Sequence, residues 1–441
     1  MRKYDKRFEG STTLRGNVIF REDFLQYLWK LQLFERRDLK TVEGHPICVV
    51  KPGVHNFQSG PDFLMGQLHM GGKIWVGHVE VHLKSSDWYV HNHHKNSAYD
   101  PVILHVVWEY DMPVLTQNGV ELPCLELKQY VFKQVVDRYQ QFLGKRSSWI
   151  VCENEISEVP SFTIKNWMDR LYVERLEAHS LEIERLLNET THDWEAVLFL
   201  RLTATFGLHL NKTAFMNLAN SFEFILIRKF QGVPNGVESL LFGQAGFLKE
   251  EKEDNYYQKL KKSYDYVRKK YKLTPLNNAQ FQFFRLRPAN FPTLRIAQLA
   301  QLYETHKHLF SKVLKAKVSA DFYELFQVRA ALYWNTHYVF EKASKGSVKR
   351  VSKSFVDLLM INTIIPLKYV YLKMHKERDV SELEPLVKSL KAEKNQSINR
   401  FKQLNVPCES AYDSQALLQL KKEYCDKKRC LHCAIGWYLL R

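Results

Sequence analysis

No apolar leader is expected at the start of the sequence. Its first ten residues, MRKYDKRFEG, carry charge where a secretory signal would carry a hydrophobic core, so a cytoplasmic location is expected. A clean membrane span is also missing. The most apolar stretch, 355–372, contains Asp357, Asn362, Pro366 and Lys368 and reads as a buried helix or helix pair. No low-complexity run or internal repeat interrupts the globular composition. Cysteine is sparse, seven in 441 residues, and in a reducing compartment these are expected to be free thiols or metal ligands, not disulfides.

What is present is length and positive charge. A chain of 441 residues exceeds one ordinary core, so at least two domains are expected. The net charge of +16 favours an anionic partner, nucleic acid or an acidic membrane surface. With no span in view, the expected partner is nucleic acid, DNA first, and no membrane.

Two textures divide the chain. Up to about residue 150, β-like runs (47–50, 63–68, 74–83 and 102–108) follow one helical pattern at 21–34. Beyond Pro160 the period becomes helical: Ser161 suits an N-cap, and helices are predicted from there and over 194–206, 213–230, 256–271, 292–306, 320–338, 355–371 and 383–391. The fold class is therefore α+β, with an N-terminal mixed-sheet domain over 1–157 and a mostly α-helical domain over 158–441.

The central constellation is Pro61-Asp62 and the run Glu80-Val81-His82-Leu83-Lys84, on either side of Gly71-Gly72. Alternation on a strand places Glu80, His82 and Lys84 on one face. If the hairpin loop is Gly71-Gly72 alone, Asp62 opposes Val81 and faces away from Glu80. A three-residue loop, or a bulge, places it beside Glu80. Two carboxylates on one face can hold Mg²⁺ or Mn²⁺, with Lys84 or protonated His82 offsetting developing negative charge.

This arrangement resembles the PD-(D/E)XK nuclease superfamily, in which a helix precedes a hairpin carrying Pro-Asp and then Asp/Glu-x-Lys. Asp62 and Glu80 match, but His82 stands where that family has lysine, and Lys84 comes two residues later. The resemblance covers about 20–115 and implies metal-dependent phosphodiester hydrolysis; Glu22 or Asp23 would be the acid on the preceding helix.

A histidine-rich stretch follows. Asp87, His91 and His93 are candidate substrate-binding residues, and His105, mid-strand among apolar neighbours, needs a partner that the active site can supply. A solvated loop and an ordinary core histidine are the plainer alternatives. This run, preceded by Ser59-Gly60-Pro61-Asp62-Phe63, also looks like an uncharacterised bacterial family known only as a domain of unknown function. The likeness continues into Leu241–Gly246 and Arg285–Pro292, and into the C-terminal cysteines.

Cys425, Cys430 and Cys433 form C-x₄-C-x₂-C, which suits zinc or an iron–sulfur cluster, with Cys152 or Cys408 as the fourth ligand and His432 awkwardly placed. Cys48 and Cys124 are expected in the core. Arg285, Arg287 and Arg295, interleaved with Phe283, Phe284 and Phe291, are candidate phosphate contacts. The basic runs 259–262, 268–272 and 342–353 form a DNA-facing surface or solvated helix faces. The leading expectation is a metal-dependent nuclease. A non-catalytic nucleic-acid-binding protein on the same scaffold, or a histidine-rich metal hydrolase of another substrate, are the competing classes.

Overall fold

The computed structural model describes residues 12–13, 19–143, 149–375 and 380–440. The chain forms two compact units, Met1–Trp167 with Leu420–Arg441, and Met168–Gln419. The division therefore falls inside the helix Ser161–Glu189 and not at 157/158, and the cysteine-bearing C-terminus belongs to the first unit. The reason is local packing. In the first unit, Trp437 of the C-terminal helix Ala434–Leu440 lies against Tyr27 and under the Lys30 ammonium, 4.3 Å from its ring.

The first unit holds a mixed six-stranded sheet: β1 (Ile47–Lys51), β2 (Val54–His55), β3 (Phe63–Met70), β4 (Lys73–Lys84), β5 (Val102–Glu109) and β6 (Cys124–Glu126). The spatial order is β1-β3-β4-β5-β6, with β2 also paired to β3. Pairing is antiparallel up to β4 and parallel beyond it. Of the two cysteines expected in the core, Cys48 on β1 is exposed, while Cys124 on β6 is buried.

One sheet face carries Val79, Val81 and Leu83 of β4 beside Leu104 and Val106 of β5, all buried. It packs on α1 (Glu22–Leu31), whose Phe24, Leu25 and Leu28 are buried, and Phe24 stacks on Tyr139 of a later helix, Lys133–Leu143. The other face carries Glu80, His82 and His105. It is buried too, because residues 85–100 fold back over it around the core of Trp88, Tyr99, Val102, Val114 and Leu122. The polar face of the hairpin is thus an interior surface, which a solvated loop would not produce.

The second unit is helical, with a two-stranded ribbon of His337–Val339 and Lys342–Ala343. Trp194–Phe206 has the expected bounds, capped by Asp193. Three expectations shift. Ser161 is the first helical residue and not the cap. The 213–230 segment breaks into Leu208–Asn220 and Ile225–Phe230. The 320–338 helix stops at Phe326. The apolar spacing continued past both breaks, so periodicity alone concealed them. The apolar run Lys353–Met374 is long and apolar enough by composition to cross a membrane, yet 78% of its most apolar window is buried against protein. Its Lys368 is buried with Nζ donating to the carbonyls of Val313 and Ala316, closing the end of the helix Leu309–Lys315.

Candidate functional site

The hairpin turns at Gly71-Gly72, with Met70 paired to Lys73. That two-residue loop alone would put Asp62 opposite Val81. Between the pairs Gly66–Gly77 and Phe63–Val79, however, β3 has two residues where β4 has one. This bulge moves the register by one and brings Asp62 level with Glu80. Met65 adopts the left-handed conformation there, φ 56°, and its N–H donates to His78 Nδ1 at 3.3 Å. β5 carries an extra residue at the same level, Ile103, between the pairs His78–Val102 and Val79–Leu104. Gly77 makes this approach feasible, since a Cβ there would collide with the Ile103 side chain and the Pro101 carbonyl.

The realigned strands assemble the site. The Asp62 N–H donates to Glu80 Oε2 at 2.8 Å, and Asp62 Oδ2 accepts from Gln26 Nε2 at 2.9 Å and from Val81 N at 3.3 Å. Glu80 Oε1 faces His93 Nε2 at 3.3 Å and His82 Nε2 at 3.6 Å. His82 Nε2 lies 3.1 Å from His91 Nδ1, and His82 Nδ1 lies 2.8 Å from His105 Nε2. His93 is held by stacking on Tyr99, ring centroids 3.8 Å apart. The donor atoms of His82, His91 and His93 all lie within 4.8 Å of one another, His91 alone being exposed. The cluster is therefore buried on one side and open at His91.

His105 is fully buried, and desolvation drives its imidazole down to about 3, so it is neutral at physiological pH. His82 Nδ1 and His105 Nε2 share one hydrogen bond, and His82 Nε2 is left toward Glu80 and His91. A buried histidine behind a ligand nitrogen sets ligand orientation in this way.

Asp62, Glu80, His82, His91, His93 and His105 thus converge. Lys84 lies within electrostatic reach of Asp111, and its backbone N–H donates to Asp87 Oδ2. Asp87 opens the short helix Asp87–Val90. Beside it Ser85 and Ser86 donate to the Asp111 carboxylate and lock the end of β4 to the segment after β5. Of the candidate acids on α1, Glu22 accepts from Gln26, and Asp23 is half-buried with its carboxyl pushed up by desolvation. The residue that α1 sends to Asp62 is Gln26, which the sequence reading missed. The available signal was an amide inside the otherwise apolar run 24–29.

In the second unit, Arg285 and Arg287 are exposed, with Arg285 over the Phe284 ring. Arg295 is not a phosphate contact. It is buried, donates to Asn290 Oδ1 and Gln298 Oε1, and lies 3.6 Å from the Phe355 ring centroid.

Cys152, Cys425, Cys430 and Cys433 line one pocket of the first unit with Phe142, Leu420 and Tyr424. Cys408 belongs to the second unit, and His432 stacks near His55 instead of joining the pocket lining.

Residues 22–396 match the family described as "Protein of unknown function (DUF2851)". The chain belongs to that family. The DUF2851 match includes the Asp62/Glu80 hairpin, every histidine of the cluster and Arg285–Pro292, and it ends before the three C-terminal cysteines. No curated protein and no solved structure matches the chain.

Proposed function

We propose that this DUF2851 protein is a metal-dependent phosphodiesterase acting on nucleic acid, with DNA as the first substrate to test, and that its sheet unit is a PD-(D/E)XK-like nuclease domain. The observation that carries the reading is the bulge-corrected hairpin, which sets Asp62 against Glu80 and turns Glu80 Oε1 toward His82 and His93, beside His91.

The donor set fits a metal but shifts its identity and seat. Glu80 with His82, His91 and His93 is nitrogen-rich, which suits Mn²⁺ better than Mg²⁺, a cation that prefers oxygen ligands. A metal held there supplies Lewis-acid stabilisation of a phosphate oxygen and a more acidic water. Asp62 and Gln26 position Glu80: the Asp62 N–H fixes Oε2, and Gln26 holds the Asp62 carboxylate. His105 orients His82 from behind. Exposed His91 is the ligand best placed to meet substrate. With histidines and no lysine in the cluster, the positive charge beside the phosphate would come from the metal, a departure from the lysine of the resembling family.

The test is cleavage of labelled DNA and RNA with Mn²⁺ or Mg²⁺. The wild type is expected to cut with Mn²⁺ in preference, and Glu80→Ala to lose on the order of 100-fold or more. Salt-sensitive binding without metal-dependent cleavage, equal in both proteins, would replace this reading with that of a non-catalytic nucleic-acid-binding protein.

A further inference from the structure

We infer that Cys152, Cys425, Cys430 and Cys433 together hold an iron–sulfur cluster inside the first unit. The four side chains come from two distant segments, the turn after residue 149 and the C-terminal run, and all four line the same pocket. The other lining residues, Phe142, Ile150, Val151, Leu420, Tyr424 and Ile435, are apolar or aromatic and keep water away.

Lys421 lies near Cys425 and Lys428 near Cys430, and their charge would oppose the negative charge that four thiolates would bring.

The chain spacing separates a cluster from zinc: C-x₄-C-x₂-C with one distant fourth cysteine is a pattern known to carry an iron–sulfur centre, whereas structural zinc sites usually pair two short cysteine knuckles.

The cluster would act as a staple. Cys430 opens the turn Cys430–His432 that packs on α1, and α1 supplies Gln26 to Asp62. The inference stands independently of the hydrolase reading, and its test uses no activity.

Full-length protein purified anaerobically is expected to contain stoichiometric iron and acid-labile sulfide, with visible absorption bleached by dithionite. Cys152→Ser and Cys430→Ser should each lose most of the iron and sulfide, while Cys408→Ser and Cys48→Ser keep them. Stoichiometric zinc without sulfide, or no metal in the wild type, overturns the cluster. Full iron and sulfide in Cys152→Ser overturns the fourth ligand. Wild-type composition decides the main claim even where a variant fails to fold.

Discussion

A buried ionisable residue takes its chemistry from what its surroundings will accept, and two residues show opposite outcomes. His105 is driven neutral by burial and can serve only as an orienting partner. Glu238, in the second unit, is buried in the first turn of the helix Gly236–Gln244 and accepts from Trp334 Nε1 and Tyr256 Oη, each at 2.7 Å. Desolvation, with a smaller push from Glu304, raises its carboxyl to about 7. The folded state therefore holds this proton more tightly than the unfolded chain, whose glutamate titrates near 4.3. Its contribution is complete below the unfolded value and is lost as pH rises toward about 7. The slope is at most about 1.4 kcal/mol per pH unit. Glu238→Gln removes the titration, so stability from chemical denaturation should flatten between about pH 5 and 7 relative to the wild type. An unchanged slope would place the titration elsewhere.

At the scale of elements, the β3–β4 hairpin shows what a sequence makes legible. The Gly71-Gly72 turn, the alternation of Glu80, His82 and Lys84, and the need for an added residue to align Asp62 were all readable from spacing. The bulge itself was not, because methionine gives no sign that position 65 adopts φ 56°. Nor was the charge near Lys84: alternation fixes a face, but not that Asp111 lies within electrostatic reach. The bulge yields a paired prediction. Deleting Met65 removes the extra residue and returns Asp62 to the Val81 side, so Mn²⁺ affinity by calorimetry should collapse although the loop is intact. Met65→Gly keeps the count and relieves a left-handed side chain, worth about 1 kcal/mol before the greater unfolded freedom of glycine is subtracted. Its Mn²⁺ binding should match the wild type. Retained affinity in the deletion would mean that the register does not build the site.

For the whole molecule, the charge balance was the earliest clue and the one with least spatial content. The sum of +16 names a class of partner but not a surface. Some of the basic residues are internal: Lys349 is buried near the Tyr338 ring, and Arg295 is enclosed by Asn290, Gln298 and Phe355. Arg285 and Arg287 are exposed beside Phe284, itself 78% exposed, and offer both a phosphate contact and a stacking ring. If the protein grips duplex DNA through such residues, binding must release counterions. Affinity should then fall at least tenfold from 50 to 200 mM salt, the change expected when about two phosphates are neutralised. Replacing Arg285 and Arg287 together by alanine should lower the slope of log K against log salt by about one to two, leaving the melting temperature close to the wild type. Arg295→Ala should do the reverse, lowering the melting temperature by stranding Asn290 and Gln298 while leaving the salt slope unchanged. A salt slope insensitive to the double substitution would remove these two arginines from the nucleic-acid surface and leave the exposed basic end of the helix Asn255–Tyr271 as the next segment to probe.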